Sequence, residues 1–581
     1  MAVSELAPEV SSYKVTTQPV NNGIEVDPVT TQLIKHGLDA AAEQMGVALR
    51  RAAFSPFIYD THDYAGALYD RDVRLIAQMR CLPIFVGTLN FVVEAAIRKI
   101  GFENFEEGDV VVSTFGYDTG SHQLDVTVVV PTFLDGELVA FAVNKAHHLD
   151  VGATSMFVTD STDHWQEGVI YPSVRLYRAG ERNEDLYRTM LANSRLPDAF
   201  DGDLHAQIAA CHVACGALNR MFRRYGYDTV TAATDALFDH SELAMRRVIG
   251  AIPDGVYTVS AAVDNDGVSD DPLPYDVTVE IHGEDIVVDM SEAAPTAVGP
   301  INAPLATTVS CVRCAVMALA RIEDGANEGY FRPIEIRTRP GTIFDAQHPA
   351  PMFMYAWPMI TAIDHIHRAL APAIPDVIPA QTGCDVGAML AWGHKADGTY
   401  WGDGANHPGG HGAAPAHGDG GSPLMHISCS GTRTCPTEVI EARTPLMVEK
   451  VELGIDSGGA GKYRGGTGLD THYRAMLDLN VTLPWERVRP KPFGLYGGGD
   501  ARPNNVVIEY PDGTSRSFLK ASAEFVPKGS LIRLETGGGG GIGDPAERDP
   551  EAVRRDIEQG YVSEEAARRH HPHAFESSGA E

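Results

Sequence analysis

Two short stretches concentrate metal-ligand chemistry in this sequence: "TGSHQLDVTVVV" at 119–130 and "NKAHHLDVGA" at 144–153. Between them, two runs rich in β-branched and aromatic residues flank the turn signal Leu134-Asp135-Gly136, which reads as a β-hairpin. With the turn centred on Asp135 and Gly136, strand pairing places His122 near Leu149 and Asp125 near Ala146, so His122, Asp125, His147 and His148 meet at one end of the hairpin. Imidazole and carboxylate are the usual ligands of zinc, manganese and iron, and they must converge to roughly 2.0–2.2 Å from the ion. The competing reading is a solvated hairpin end with ordinary polar residues. Successive strand residues face opposite ways, so one of His147 and His148 is expected to be a ligand and the other to support it from behind.

The elements that must position this hairpin are legible on either side of it. Asp27-Pro28 is an N-cap followed by a first-turn proline. It opens a helix with Leu33, Leu38, Ala41, Met45 and Leu49 mostly on one face. "DTHDYAGALYDRDVRLIAQM" is a second hairpin, entered from Asp60, His62 and Asp63 and turning at Asp70-Arg71-Asp72. A helical pattern over 87–99, the strand "VVVSTF", helices across 201–250, a strand meander over 251–300 and helices near 304–321 and 358–371 follow. Beyond about 395 glycine accumulates in runs such as "ETGGGGGIGD", separated by strand-like segments, and ordered loops on a β-rich region are expected. The resulting plan is α+β: a flexible tail over 1–23, a metal-bearing α+β region over 24–250, a mixed strand and helix region over 251–395, a Gly-rich β region over 396–545, and C-terminal helices with a frayed end over 546–581.

Composition narrows the function. The chain has 581 residues with 46 Lys+Arg against 78 Asp+Glu, a formal charge of −32 that repels phosphate backbones and anionic lipid. No stretch approaches the roughly 20 apolar residues of a membrane span, and the N-terminus lacks the basic and apolar segments of a secretory signal. Neither nucleic acid nor membrane is therefore an expected partner, and a cytoplasmic setting is expected. Eight cysteines suit a reducing compartment, and Cys311-x-x-Cys314 and the Cys211/Cys215 pair read as core thiols on buried helices.

Other motifs yield less. "SGGAGK" lacks the first glycine and the hydroxyl residue of a phosphate loop, so no nucleotide site is expected. G-x-S-x-G and H-E-x-x-H are absent. His407, His411, His417, Asp419 and His426 lie among glycines in a segment that reads either as a metal- or substrate-approaching loop or as a solvated one.

The long segments "DPVTTQLIKHGLDAAAEQMGVALRRAAFSP", "GSHQLDVTVVVPTFLDGELVAF", "NKAHHLDVG", "PTEVIEARTPLMVEKVELGIDSGGAGKYRGGTG" and "GGGGGIGDPAERDPEAVRRDIEQGYVSEEAA", in this order, resemble the hydantoinase B family. The resemblance implies a mixed, multi-segment hydantoinase B-type fold and a two-component enzyme. A hydantoinase A-type partner would bind ATP and magnesium and phosphorylate the substrate, and this chain would complete the reaction at a divalent metal (zinc, manganese or iron), in a hetero-oligomer such as α2β2. Carried across, the family's metal motif implies His122, Asp125, His147 and, from the earlier hairpin, Asp63 as ligands. His148 or Asp150 would orient ligands or shuttle a proton. The implied reaction is hydrolysis of a cyclic amide (a hydantoin, lactam or oxoproline). The alternative is carboxylation of a ketone through an enolate, for which the same ligands would serve. A third reading is a regulatory subunit without chemistry. The sequence departs from the family pattern at "STFGYDTGSH", where an Asn-Asp-Pro-Tyr-type segment is common.

Overall fold

The computed structural model describes residues 9–16, 20, 23–322 and 325–575. These residues divide into two compact units, Met1–Ala261 with Pro274–Ile366, and Ala262–Leu273 with His367–Glu581. The sequence-based boundaries near 250 and 395 follow composition, whereas packing groups the chain differently. The strands after 250 join a sheet begun by the N-terminal segment, so most of them belong with the first unit.

In the first unit, β1 (Ser11–Lys14) precedes α1 (Pro28–Ala52), and β2 (Tyr64–Asp70) and β3 (Leu75–Gln78) form the early hairpin. After α2 (Leu89–Ile100) come β4 (Val110–Ser113), β5 (Asp125–Leu134), β6 (Glu137–His147), β7 (Val174–Arg178) and β8 (Glu181–Arg182). The strand order β3-β2-β6-β5-β4-β7-β8 makes a seven-stranded antiparallel sheet with the β5–β6 hairpin at its centre. Its central strands β2, β5 and β6 read as near-continuous apolar runs and are buried almost throughout, whereas β7 and β8 at one edge are polar and partly exposed. The long helices α3 (Pro197–Tyr225) and α4 (Tyr227–Ile249) lie beside α1, and α3 packs on β5 and β6.

Strands β9 (Gly255–Val263), β10 (Leu273–His282), β11 (Asp285–Asp289) and β12 (Ile334–Thr338), with β1, form a second sheet in the order β1-β12-β11-β10-β9. Here the expectation of a loose tail over 1–23 is corrected. Ser11–Lys14 pairs antiparallel with Glu335–Thr338, and the ladder gives its backbone N–H and C=O groups partners. Residues 1–8, 17–19 and 21–22 of that expected tail, and 576–581 of the expected frayed end, lie outside the described residues. Between β11 and β12 runs α5 (Leu305–Ala320), and α6 (Ala356–Leu370) follows.

Asp27 caps α1 as the sequence indicates, accepting from the N–H groups of Val29 and Thr30 at 3.0 Å each. Ile34, Leu38, Ala41, Met45 and Leu49 form its buried stripe, while Leu33 faces out at 51% exposure, one step off that face. Cys211, Cys215, Cys311 and Cys314 are all buried free thiols, and burial raises the pKa of each, as core positions require.

The second unit pairs two sheets. One comprises β13 (Met389–His394), β14 (Tyr400–Ala405), β17 (Leu479–Leu483) and β20 (Ala521–Val526), in the order β14-β13-β17-β20. The other comprises β15 (Leu446–Leu453), β16 (Leu469–Ala475), β18 (Asn505–Glu509), β19 (Ser515–Ser517) and β21 (Leu531–Glu535), in the order β15-β16-β21-β18-β19. Val481 and Leu483 from the first meet Tyr473, Ile508, Ile532 and Leu534 from the second around Trp485.

Glycine-rich segments form a further layer in this unit, built of backbone on backbone. The run Gly537–Gly541 is hydrogen-bonded to several other passes of chain: Gly539 N–H donates to Gly466 O, Gly540 to Gln381 O, and Gly541 to Gly499 O. In turn Ala413 donates to Gly540 O and Leu495 to Gly541 O. A Cβ at Gly465 would lie 1.7 Å from the carbonyl oxygen of Gly539, and one at Gly539 would lie 1.9 Å from that of His411. Only glycine permits so close an approach. Among the described residues, no helix is long and apolar enough to cross a membrane.

Candidate metal centre

The centre lies wholly within the first unit, where the central hairpin meets the segment preceding α6. The hairpin's register begins as the sequence predicts, with Leu134 opposite Glu137 and Phe133 opposite Leu138, but it then shifts at a bulge between Thr132 and Phe133. Thr132 faces Ala140, and from there the ladder runs unbroken to Asp125 opposite His147. The sequence-based pairing sets Asp125 opposite Ala146 instead. The extra residue in β6 moves the pairing by one and places the carboxylate and the imidazole side by side.

His122 comes from the turn before β5, where the Asp125 N–H donates to the His122 carbonyl at 3.1 Å. His122, Asp125 and His147 each offer a ligand atom, and these atoms lie within 4.8 Å of one another. Their exposures are 4%, 1% and 4%. Among the described residues this is the one group of three or more His, Cys, Asp or Glu side chains so arranged. The donor set, two imidazoles and a carboxylate, fits a divalent ion. His147 Nδ1 is buried without a hydrogen-bond partner, as a nitrogen reserved for a ligand would be.

The surroundings fix how these groups point. His122 Nδ1 lies 2.9 Å from the Phe353 carbonyl oxygen. That acceptor takes the Nδ1 proton and turns Nε2 toward Asp125 Oδ2, 3.4 Å away. The Tyr355 hydroxyl donates to the same Asp125 oxygen at 2.8 Å. Aromatic rings enclose the group: Phe57 stands 4.7 Å from the His147 ring and Phe353 4.7 Å from the His122 ring, centroid to centroid.

Electrostatics separate the two histidines. Burial, reinforced by the nearby His122, pushes His147 down to about 3, so its imidazole is neutral. Burial also opposes charge on His122, but the Asp125 carboxylate outweighs it and the pKa rises. Asp125 is itself held well below the usual carboxylate range: burial works to raise it, and His122, His147 and Lys145 together overcome that.

Asp63 stands beside this group. Its backbone carbonyl accepts from the His147 N–H at 3.1 Å, and burial with the neighbouring Asp125 charge raises its carboxyl to about 7. It lies outside the three-residue ligand cluster.

His148 and Asp150 are turned elsewhere. His148 is on the opposite face of the chain from His147, as strand alternation requires, with Nε2 2.8 Å from Gln207 Oε1 on α3 and its ring against Phe200. The Asp150 carboxylate is an acceptor for Gly152 N–H at 3.3 Å and for the backbone and guanidinium of Arg195.

Four of the glycine-flanked residues of the second unit make contacts within it. His407 bridges Gly387 O and the Tyr473 hydroxyl, His411 contacts Met425 O, His426 contacts Ser428, and Asp419 pairs with Arg548. In "SGGAGK", Gly459 donates to Gly539 O, and a Cβ there would lie 2.1 Å from the Gly499 carbonyl oxygen. Lys462 pairs at the surface with Glu547 at 3.2 Å.

Sequence reasoning misses Lys145, Phe353 and Tyr355. Lys145 is fully buried two residues before His147, donates to Thr119 O at 2.6 Å and sits 4.5 Å above the Phe85 ring. Burial pulls its pKa down to about 8 against the pull of Asp125 and Asp63. Its signal is a lysine on the inward-facing alternation of a central strand. Phe353 and Tyr355 carry no such signal, because they reach the hairpin from about 230 residues away in sequence.

Comparison with known proteins agrees with this architecture. Residues 27–545 match the family model for hydantoinase B/oxoprolinase. The B-type chain of a putative D-/L-hydantoinase from Pseudomonas sp. (strain NS671) is 30% identical over 567 residues, covering 94% of each chain. The crystal structure of the ATP-dependent caprolactamase from Pseudomonas jessenii superposes with a TM-score of 0.87 at 29% identity, over 94% of this chain and 96% of that one. A nucleotide-free acetone carboxylase structure shares the fold, with a TM-score of 0.84 at 19% identity over 94% of this chain and 79% of that one.

Proposed function

The chain belongs to the hydantoinase B/oxoprolinase family of enzymes, and on that premise we propose that it is the metal-bearing subunit of an ATP-dependent cyclic amide hydrolase. In this reading a hydantoinase A-type partner binds ATP and magnesium and phosphorylates a hydantoin-, lactam- or oxoproline-type ring, and this chain hydrolyses the activated product. The observation that carries it is the convergence of His122, Asp125 and His147 in a buried, ring-lined site, in a chain whose glycine loop is filled by backbone.

His122 Nε2, a ring nitrogen of His147 and the Asp125 carboxylate would hold the ion, with Asp63 adjacent as a fourth, oxygen-bearing group. When bound, zinc, manganese or iron would act as a Lewis acid toward the activated carbon. The chain's own residues prepare that chemistry. Phe353 O fixes the His122 tautomer, Tyr355 orients Asp125, and Phe57 and Phe353 keep water from the ligand atoms. Lys145 offers a buried positive charge opposed to Asp125 and Asp63. We assign His148 and Asp150 to bracing the strand end against α3 and Arg195. Eight cysteines held as thiols suit a cytoplasmic setting for the complex.

The second reading is a subunit of a ketone carboxylase, favoured by the shared fold with acetone carboxylase. Co-expression with a hydantoinase A-type chain, followed by ATP consumption on a panel of lactams, hydantoins and ketones with labelled bicarbonate, separates the two. Ring opening without label uptake is the expected result. Label entering a β-keto acid would replace hydrolysis by carboxylation, and ATP-independent turnover would overturn both.

A further inference from the structure

Behind the ligand cluster lies a carboxylate that takes no part in it. Glu167 has no exposed surface, and its Oε1 accepts three hydrogen bonds: from the Ser161 hydroxyl at 2.7 Å, from the Met352 N–H at 2.7 Å and from the Phe353 N–H at 2.9 Å. Its Oε2 lies 3.2 Å from His164 Nδ1. Two consecutive backbone amides thus aim at one buried oxygen, and this fixes the peptide plane on the N-terminal side of Phe353. The Phe353 carbonyl is the group that orients His122, and two residues later the Tyr355 hydroxyl orients Asp125. The same short segment is gripped from a second direction. Gln123, next to His122, donates to the His164 carbonyl at 3.0 Å, and the His164 N–H donates to the Pro349 carbonyl at 3.1 Å.

Residues 161–167 therefore clamp both sides of the centre, the turn bearing His122 and the stretch that aims it. We propose that Glu167 is a positioning residue for the metal centre: by binding the Met352 and Phe353 amides it directs the Phe353 carbonyl onto His122 and the Tyr355 hydroxyl onto Asp125. The proposal rests on the metal reading above, and its geometry sets a specific requirement. An acceptor oxygen at the end of a glutamyl-length side chain is needed, whereas the negative charge is not: a glutamine oxygen can accept from the same three donors, and its NH2 can donate to His164 Nδ1 where Oε2 stood.

The test uses the full chain, stripped of metal and titrated with Co²⁺. E167D shortens the side chain by one methylene and should weaken Co²⁺ binding by about 10–100-fold, whereas E167Q should bind near the wild-type level. D235N serves as a control for simple destabilisation, since it breaks a buried pair with Arg74 (2.6 Å) in the same unit away from the centre. It should lower the melting temperature while leaving Co²⁺ affinity unchanged. A second readout needs no metal. In nitrogen-15 histidine spectra recorded at a pH high enough to keep the metal-free His122 ring neutral, that ring, identified by its absence in H122A, should be the Nδ1–H tautomer in wild type and E167Q and should lose that preference in E167D. If E167D does not fold, S161A, which removes one donor to Oε1, carries the same comparison with a smaller loss. Unchanged Co²⁺ affinity and tautomer in E167D, or equal losses in E167Q and E167D, would overturn the positioning role. Wild-type Co²⁺ affinity in H122A would instead overturn the metal reading, while the tautomer readout still decides on Glu167.

Discussion

Asp125 and His147 are direct cross-strand partners at the end of the central hairpin, and a one-residue bulge near the other end makes them so. Without it, the ladder would set Asp125 opposite Ala146 and turn the carboxylate from His147. Val139, the extra residue, thus controls the site from eight residues away along β6.

Removing the ligands themselves gives the most direct check. H122A and D125A should reduce bound metal to background, measured by elemental analysis, and abolish turnover of the reconstituted complex. Co-purification with the partner should be spared, because both side chains are buried.

The tyrosine behind Asp125 tests the supporting shell. Y355F deletes the 2.8 Å hydrogen bond to Asp125 and should weaken metal binding by about 10-fold, at the lower end of the range for such changes. Unfolding of the metal-free protein should become easier by about 1 kcal/mol in urea titrations.

The glycine layer predicts opposite outcomes for one kind of substitution. G465A would drive a methyl group to 1.7 Å from the Gly539 carbonyl oxygen and should destabilise the chain by about 3 kcal/mol or more. G216A, on α3 with Arg220 Nη1 the nearest atom at 3.5 Å, should instead stabilise it by about 0.5–1 kcal/mol. Denaturant melts of the two variants against wild type decide.

Acid stability has a buried contributor in His407, whose Nδ1 faces Gly387 O and whose Nε2 accepts from Tyr473, so the ring is bound as the neutral form. Burial lowers its pKa to about 4. The unfolded chain, with His near 6.5, binds the extra proton between those values, so stability falls as pH drops from about 6.5 to about 4, by up to about 3 kcal/mol from this group. H407N should show a shallower loss across that window in urea melts.

The isolated chain should bind no ATP in calorimetry, and replacing Lys462 should leave nucleotide use by the complex unchanged, since that lysine is engaged with Glu547 at the surface.

Local chemistry makes much of this legible. The Asp27 cap, the two hairpins, the long helices and the His122, Asp125 and His147 group all follow from spacing and turn residues that act over a few positions. The bulge in β6 is hidden because the apolar run continues through Leu138, Val139 and Ala140, and "ELVAFAV" reads equally well in either register. The pairing of Ser11–Lys14 with β12, and the approach of Phe353 and Tyr355 to the hairpin, depend on segments hundreds of residues apart. Lys145 escapes notice for a different reason, since a lysine between ligand-type residues suggests solvent until the sheet is known to be covered on both faces.

The run Gly537–Gly541 lies at the centre of its layer yet is among the last parts of the unit to be made, and the passes it joins begin near Gln381. At ribosomal rates of roughly 5–20 residues per second, those earlier passes wait roughly ten to thirty seconds for the strand that ties them together. A nascent chain halted before it would carry loose, side-chain-poor loops with unpaired amides, so synthesis through Gly541 is the step that commits this unit to its shape.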